Sequence, residues 1–184
     1  GALRHNVSVL RALLPESCRL MPAVKANAYG HGAVPIAREL NRLGIRDFCV
    51  ASAQEGAQLR RAGIRGDILI LGYTGPDELS LLRRYRLIQT VVDAMYAGTL
   101  DALGKPLRVH IKLDTGMRRL GEPSENLPEI LKIFDYKNLR VEGVYTHLCA
   151  DDTARSADRE FTLRQAESFR QACDGIRSHG YAIP

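Results

Sequence analysis

No Cys-x-x-Cys pair occurs in these 184 residues, and the four cysteines, Cys18, Cys49, Cys149 and Cys173, are far apart. Neither a zinc site nor a disulfide framework is indicated, so they read as reduced and mostly buried thiols. No apolar run approaches the length that spans a bilayer, and no signal peptide is read at the start. The expected location is the cytoplasm, either as a free protein or as the cytoplasmic domain of a membrane protein, with no membrane contact by this segment. A long basic block is also missing. Lys plus Arg exceeds Asp plus Glu, for a net charge of +5, but the cations are scattered as pairs (Arg60-Arg61, Arg83-Arg84, Arg118-Arg119) without interleaved aromatics. Solvated helix faces explain them more simply than nucleic acid, which would require steep salt-dependent binding to duplex DNA.

What is present is ordinary globular composition, 45% hydrophobic and 26% charged, enough for one domain with a real core. Leu3, Val7, Leu10 and Leu14 share one helical face, and Pro15 ends that helix. It opens without a cap or a preceding strand, which suggests a chain cut from a longer one. Six strands are then expected, at 20–24, 48–52, 67–71, 88–92, 107–113 and 139–147. Helices fall between them at 33–43, 53–62, 76–85, 94–103 and 127–134, and a long one follows at 157–178. A further strand is expected to begin at 181–184. This alternation belongs to a parallel α/β sheet, doubly wound or barrel.

The chain is organised around Leu20 to Gly32. An apolar run of strand length stops at Lys25, and a glycine-punctuated turn leads into the helix near Ala33. Parallel α/β folds place chemistry at such strand ends. A lysine partly out of water holds more of its neutral amine, the form that attacks an aldehyde. Tyr29 reaches the same mouth, and Gly30 and Gly32 let backbone N–H groups approach an anion. On spacing alone, a strand-end lysine snorkelling to solvent is the simpler reading.

Three segments change that balance. Val24-Lys25-Ala26-Asn27-Ala28-Tyr29-Gly30-His31-Gly32 resembles the pyridoxal-phosphate attachment motif of the alanine racemase family. Lys112-Leu113-Asp114-Thr115-Gly116-Met117-Arg118-Arg119-Leu120-Gly121 resembles a second signature of that family, and Tyr145-Thr146-His147-Leu148 a third, in the expected order. The resemblance implies a (β/α)8 TIM barrel, here incomplete at about six βα units over residues 1–184. It also implies pyridoxal 5'-phosphate as cofactor, a small amino acid as substrate and a homodimer as the full-length assembly.

By the same resemblance Lys25 is the cofactor-linked lysine and the catalytic base and acid for one face of the substrate. The substrate amine displaces it from the cofactor aldehyde, the ring serves as electron sink, and the α-proton becomes removable. Tyr29, Arg119 and His147 bind the cofactor, and Arg119 also meets the substrate carboxylate. His147 lies beside the pyridine ring and moves no proton. Lys112 is the carbamylation candidate, since a carbamate beside Arg119 makes a charge-assisted pair where two cations would repel. Along 109–114 Val109, Ile111 and Leu113 alternate with His110, Lys112 and Asp114, an apolar set under the helices and a polar set toward the lumen. Asp151 and Asp152 are assigned no chemistry, and no metal is expected.

The family's second tyrosine belongs to a C-terminal β-domain that these residues do not contain, and the family's phosphate contact after the seventh strand and later phosphate ligands are absent too, so the 184 residues alone are expected to be inactive. The full protein is expected to interconvert L- and D-alanine, or serine, supplying D-amino acids for peptidoglycan and the cell wall. The racemase portion of a membrane-anchored serine/alanine racemase of glycopeptide antibiotic resistance looks similar. The alternative is a non-catalytic pyridoxal-phosphate-binding homeostasis barrel, against which the 112–121 signature argues. A truncated barrel kept as a binding or oligomerisation module has no use for Lys25, Tyr29, Arg119 and His147 together.

Overall fold

The computed structural model describes residues 1–150 and 156–183. These fall into two compact units, Gly1–Ile88 and Gln89–Pro184. Helix α1, Ala2–Leu13, opens the first unit and ends where Leu14 turns extended before Pro15. Of its expected apolar face Val7 is buried, Leu3 and Leu14 are half-buried and Leu10 stays exposed at 49%. Leu3, Val7 and Leu10 line a cavity of about 370 Å³ with Met21, Val24 and Ile36.

The strand expected over 20–24 contracts to one parallel bridge, Ala23 to Cys49. Val24 N–H donates to the Cys49 carbonyl at 2.9 Å and Cys49 N–H to the Pro22 carbonyl at 3.0 Å. Pro22 has no N–H with which to carry the ladder back toward Leu20. A five-residue turn, α2 (Lys25–Tyr29), follows, then α3 (Ala33–Arg42), β1 (Asp47–Val50), α4 (Ala53–Arg61) and β2 (Asp67–Ile70). A 3₁₀ turn, Pro76–Glu78, precedes α5 (Leu79–Arg84), because Pro76 sits in its first positions and shortens the expected helix. Strands β1 and β2 pair in parallel from Asp47↔Asp67 to Val50↔Ile70. Phe48, Val50, Ile68 and Ile70 are completely inaccessible, each worth about 1.5–3 kcal/mol of burial.

Strand β3, Ile88–Val91, begins on the last residue of the first unit. The second unit continues with α6 (Ala94–Asp101), β4 (Leu107–Asp114), β5 (Glu122–Pro123), α7 (Leu127–Asp135), β6 (Leu139–Tyr145) and α8 (Ser156–Ser178). Strand β4 pairs in parallel with β6, with a register shift between Val109 and His110 that sets His110 opposite Gly143. The short β5 was not expected; it pairs Leu113↔Glu122 and Asp114↔Pro123. Val109, Ile111 and Leu113 are buried as the alternation requires, and Ile130, Ile133 and Ile176 pack in the same unit's core.

With the Ala23 bridge as its first and the short β5 set aside, the described chain holds six strands separated by helices, the α/β class and about six βα units of an incomplete (β/α)8 barrel. Residues 181–183 form no strand, and Pro184, Asp151 and Asp152 lie outside the described residues. The cysteines are free, but only Cys49 and Cys173 are buried; Cys18 and Cys149 are exposed.

Candidate active site

In the first unit the chemistry begins where the backbone reverses its hand. Ala26, Asn27 and Ala28 have φ of 49, 54 and 52° with ψ of 47, 43 and 47°, and Tyr29 has φ 53°. Turn α2 is therefore left-handed and built without glycine. L-residues wound this way cost about 1–2 kcal/mol each, so the turn needs outside support. Glu55 supplies it. One carboxylate oxygen accepts the Ala26 N–H at 2.8 Å and the other the Ala51 N–H at 2.7 Å. Asn27 Oδ1 accepts the Ala33 N–H at 2.9 Å, starting α3, and the Asn27 carbonyl accepts the N–H of Gly32.

This geometry corrects one expectation. The N–H groups of Gly30 and Gly32 are not open to an anion, because they are taken by the carbonyls of Ala26 and Asn27. Glu55 was not read from the sequence as a site residue, although Ser52-x-x-Glu55 is a capping-box pattern. Ser52 does cap α4, accepting the Glu55 N–H at 3.3 Å, but the Glu55 side chain serves the turn. Lys25 itself is half-buried and Tyr29 is 63% exposed. Beside Lys25, burial pushes the Cys49 thiol up to about 11, with Asp47 adding to the shift and the Lys25 ammonium opposing it.

The second unit holds the other three residues. Lys112 is only 4% exposed on β4, and its Nζ donates to the Leu120 carbonyl at 2.7 Å. Desolvation lowers its pKa; Asp114 opposes and the Arg119 guanidinium lowers it further. The polar set is thus unequal: Lys112 is buried, while His110 and Asp114 are half-buried. Asp114 folds the following turn back on itself, accepting the N–H of Gly116 at 2.9 Å and of Arg118 at 3.0 Å. Burial pushes the Asp114 carboxyl up, but these N–H donors and Lys112 outweigh it, and its pKa is lowered. A Cβ at Gly121 would meet Asp114 N at 2.8 Å, at a φ of +113°, so the close return of the chain beneath Lys112 requires glycine.

Arg119 is exposed at the end of this turn. His147 is exposed as well and lies two residues past the end of β6 instead of closing it. Gly143, opposite His110, was also not singled out for its role: a Cβ there would stand 2.8 Å from the imidazole. The first unit thus holds Lys25 and Tyr29, and the second holds Lys112, Arg119 and His147.

Among the described residues the Lys25 amine, the Tyr29 hydroxyl and the Arg119 guanidinium have no hydrogen-bond or ion-pair partner. In the first unit an amine and a phenol suit an anionic aldehyde such as pyridoxal phosphate, and in the second the guanidinium suits an anion. No group of three or more His, Cys, Asp or Glu side chains is arranged to hold a metal ion among those residues. None of the helices searched is long and apolar enough to cross a membrane.

A parallel α/β fold whose opening bridge at Ala23 leads to a half-buried lysine, with no hydrogen-bond partner among the described residues, defines a class of lysine-bearing α/β proteins. Within that class, the chain belongs to the alanine racemase family: the family's N-terminal domain matches residues 1–184. It is 40% identical over 182 residues to an amino-acid racemase of Enterococcus faecalis, covering 99% of this chain and 26% of that protein. The alanine racemase of Geobacter sp. (strain M21) is 39% identical over 189 residues, 99% of this chain and 50% of that one. Among solved structures, the alanine racemase of Clostridium difficile 630 superposes with a TM-score of 0.90 at 32% identity, over 98% of this chain and 48% of that one. The chain thus spans about half the length of these alanine racemases and about a quarter of the Enterococcus protein. The family is one of pyridoxal-phosphate-dependent racemases.

Proposed function

We propose that these residues are the cofactor-binding barrel portion of an amino-acid racemase acting on alanine or serine, with Lys25 as the cofactor-linked lysine. The observation that carries the reading is the Lys25 amine, half-buried and unpartnered at the head of a supported left-handed turn, in the motif that matches the family. Bound there, pyridoxal phosphate supplies an electron-withdrawing ring that acidifies the substrate Cα–H.

The chain's own residues do the remainder. Lys25 supplies an amine able to attach to an aldehyde and, once released, to hold and return the α-proton on one face. Arg119 offers a planar fork of donors to the cofactor's phenolic oxygen and the substrate carboxylate. Tyr29 adds a hydroxyl donor, and His147 flanks the ring. Lys112 is the carbamylation candidate: a lowered pKa favours the neutral amine that adds CO₂ and releases a proton, leaving an anion to hold Arg119. Proton transfer on the opposite face falls to a tyrosine of a C-terminal β-domain in a partner subunit, so the working assembly is a homodimer and these 184 residues alone do not racemise. The product serves peptidoglycan, and a membrane-anchored resistance racemase is one setting that fits the long Enterococcus relative.

The test is borohydride reduction of the chain with pyridoxal phosphate, followed by peptide mapping. The expected result is label on Lys25, lost in Lys25→Ala. Label elsewhere, or none on a folded sample, overturns the assignment. Label on Lys25 with no deuterium entering D-alanine in heavy water points instead to a non-catalytic homeostasis barrel.

A further inference from the structure

Gln165, on α8, stands outside all three family motifs, yet it is 1% exposed and joins two of them. Its Nε2 donates to Thr115 Oγ1 and to the His147 carbonyl, both at 3.3 Å. Its Oε1 accepts the Cys149 N–H at 3.2 Å and the Cys149 thiol at 3.7 Å. The amide has one workable orientation. Flipped, it would set its NH₂ against a backbone N–H and its oxygen against a carbonyl.

The proton order beyond it is equally determined. Thr146 Oγ1 donates to the Leu113 carbonyl at 2.9 Å, so Thr115 Oγ1, 2.8 Å away, donates to Thr146 and must itself accept from Gln165. A single directed chain therefore runs from Gln165 through Thr115 and Thr146 to the backbone of β4. The helix presses close here as well: a Cβ on Gly116 would stand 3.1 Å from Phe161 of the same helix. Thr115 opens the turn that ends in Arg119, and His147 follows Thr146.

We infer that Gln165 is a positioning residue, which fixes the Arg119 turn and the His147 segment relative to each other and so shapes the cofactor-binding surface of the second unit. The inference deepens the proposed function and rests on it for its consequence at the cofactor, while the geometric coupling stands on the hydrogen bonds alone.

Two variants separate hydrogen bonding from packing. Gln165→Met keeps the volume and loses every bond. Gln165→Glu, ionised, still accepts from Cys149 but donates to neither Thr115 nor His147; protonated, it regains one donor. Pyridoxal phosphate titrated into the full chain is expected to bind about tenfold more weakly to Gln165→Met at every pH. Gln165→Glu should match that loss at pH 8 and recover toward wild type on acidification to pH 5.5, a response that a mere packing role would not give. Amide hydrogen exchange should rise at 116–119 and 147–149 in both variants at pH 8, with the amides of β4 unchanged. Unchanged exchange in those two segments of Gln165→Met overturns the inference, and so does a Gln165→Glu affinity that ignores pH. If wild type binds no cofactor the proposed function fails, and exchange alone decides the coupling. Should the Gln165 variants not fold, Thr115→Val cuts one arm only, and unchanged exchange there overturns the inference equally.

Discussion

The two lysines that anchor the two units are held in opposite ways. The Lys25 amine has no hydrogen-bond partner among the described residues and heads a turn whose next four residues are wound against their preference, while Lys112 has an ordinary strand backbone and an amine tied to the Leu120 carbonyl. In the first unit the strain is in the main chain and the side chain is available. In the second the main chain is relaxed and the strain is electrostatic, a buried cation with a second cation nearby. A group meant to form and break a bond gains from the first arrangement; a group meant to be modified once, or to stay put, gains from the second.

The sharpest way to break this contrast is at Glu55. Glu55→Gln keeps one acceptor and turns an NH₂ toward the other backbone N–H, so the turn loses a charge-assisted bond and gains a donor clash. About 2 kcal/mol of stability should go, read as a lower melting temperature, with borohydride labelling of Lys25 falling in parallel. The matching change in the second unit, Lys112→Met, should leave Lys25 labelling intact.

An effect of the next size is expected in the pH dependence of unfolding, where Cys49 and Lys112 contribute with opposite sign. Folded Cys49 keeps its proton up to about 11, while the unfolded thiol loses it near 9.0, so between those values the unfolded state binds fewer protons and stability falls as pH rises. Cys49→Ala should flatten that fall. Lys112 behaves oppositely. Its folded pKa lies below the usual 10.5, so approaching that value the unfolded state binds more protons and stability rises with pH. Lys112→Met should remove the rise. Urea unfolding of wild type and both variants at pH 8, 9 and 10 reads both slopes.

The smallest effect is expected at Tyr29. Its ring is mostly in water, so Tyr29→Phe should change stability by less than about 0.5 kcal/mol while weakening pyridoxal phosphate in a fluorescence titration. A large melting shift would show that its hydroxyl supports the turn.

The order of strands and helices was legible because apolar periodicity and Gly44, Gly63 and Pro15 punctuate it locally. The exceptions have local causes too. Pro22 reduces the first strand to a bridge, Pro76 opens with a 3₁₀ turn, and Leu10, helical in spacing, stays exposed because periodicity reports a face without reporting what covers it. Lys25, Tyr29, Arg119 and His147 were legible as motif positions. The left-handed turn was not, since in Ala-Asn-Ala-Tyr only Asn27 takes positive φ readily, and the turn is supported by Glu55 from 29 residues away. Gln165 was invisible for the same reason: a glutamine on a charged helix looks solvated until the fold sets two loops against it.

The reversed turn also bears on any attempt to make this protein hardier. Glycine accepts positive φ where alanine resists it, so Ala26→Gly or Ala28→Gly would relieve the local strain, and heat-based selection would favour both. Each would also loosen the segment that carries Lys25. Here the most easily gained robustness and the aim of Lys25 pull apart, and a library screened on melting temperature alone would drift away from the cofactor attachment proposed for it.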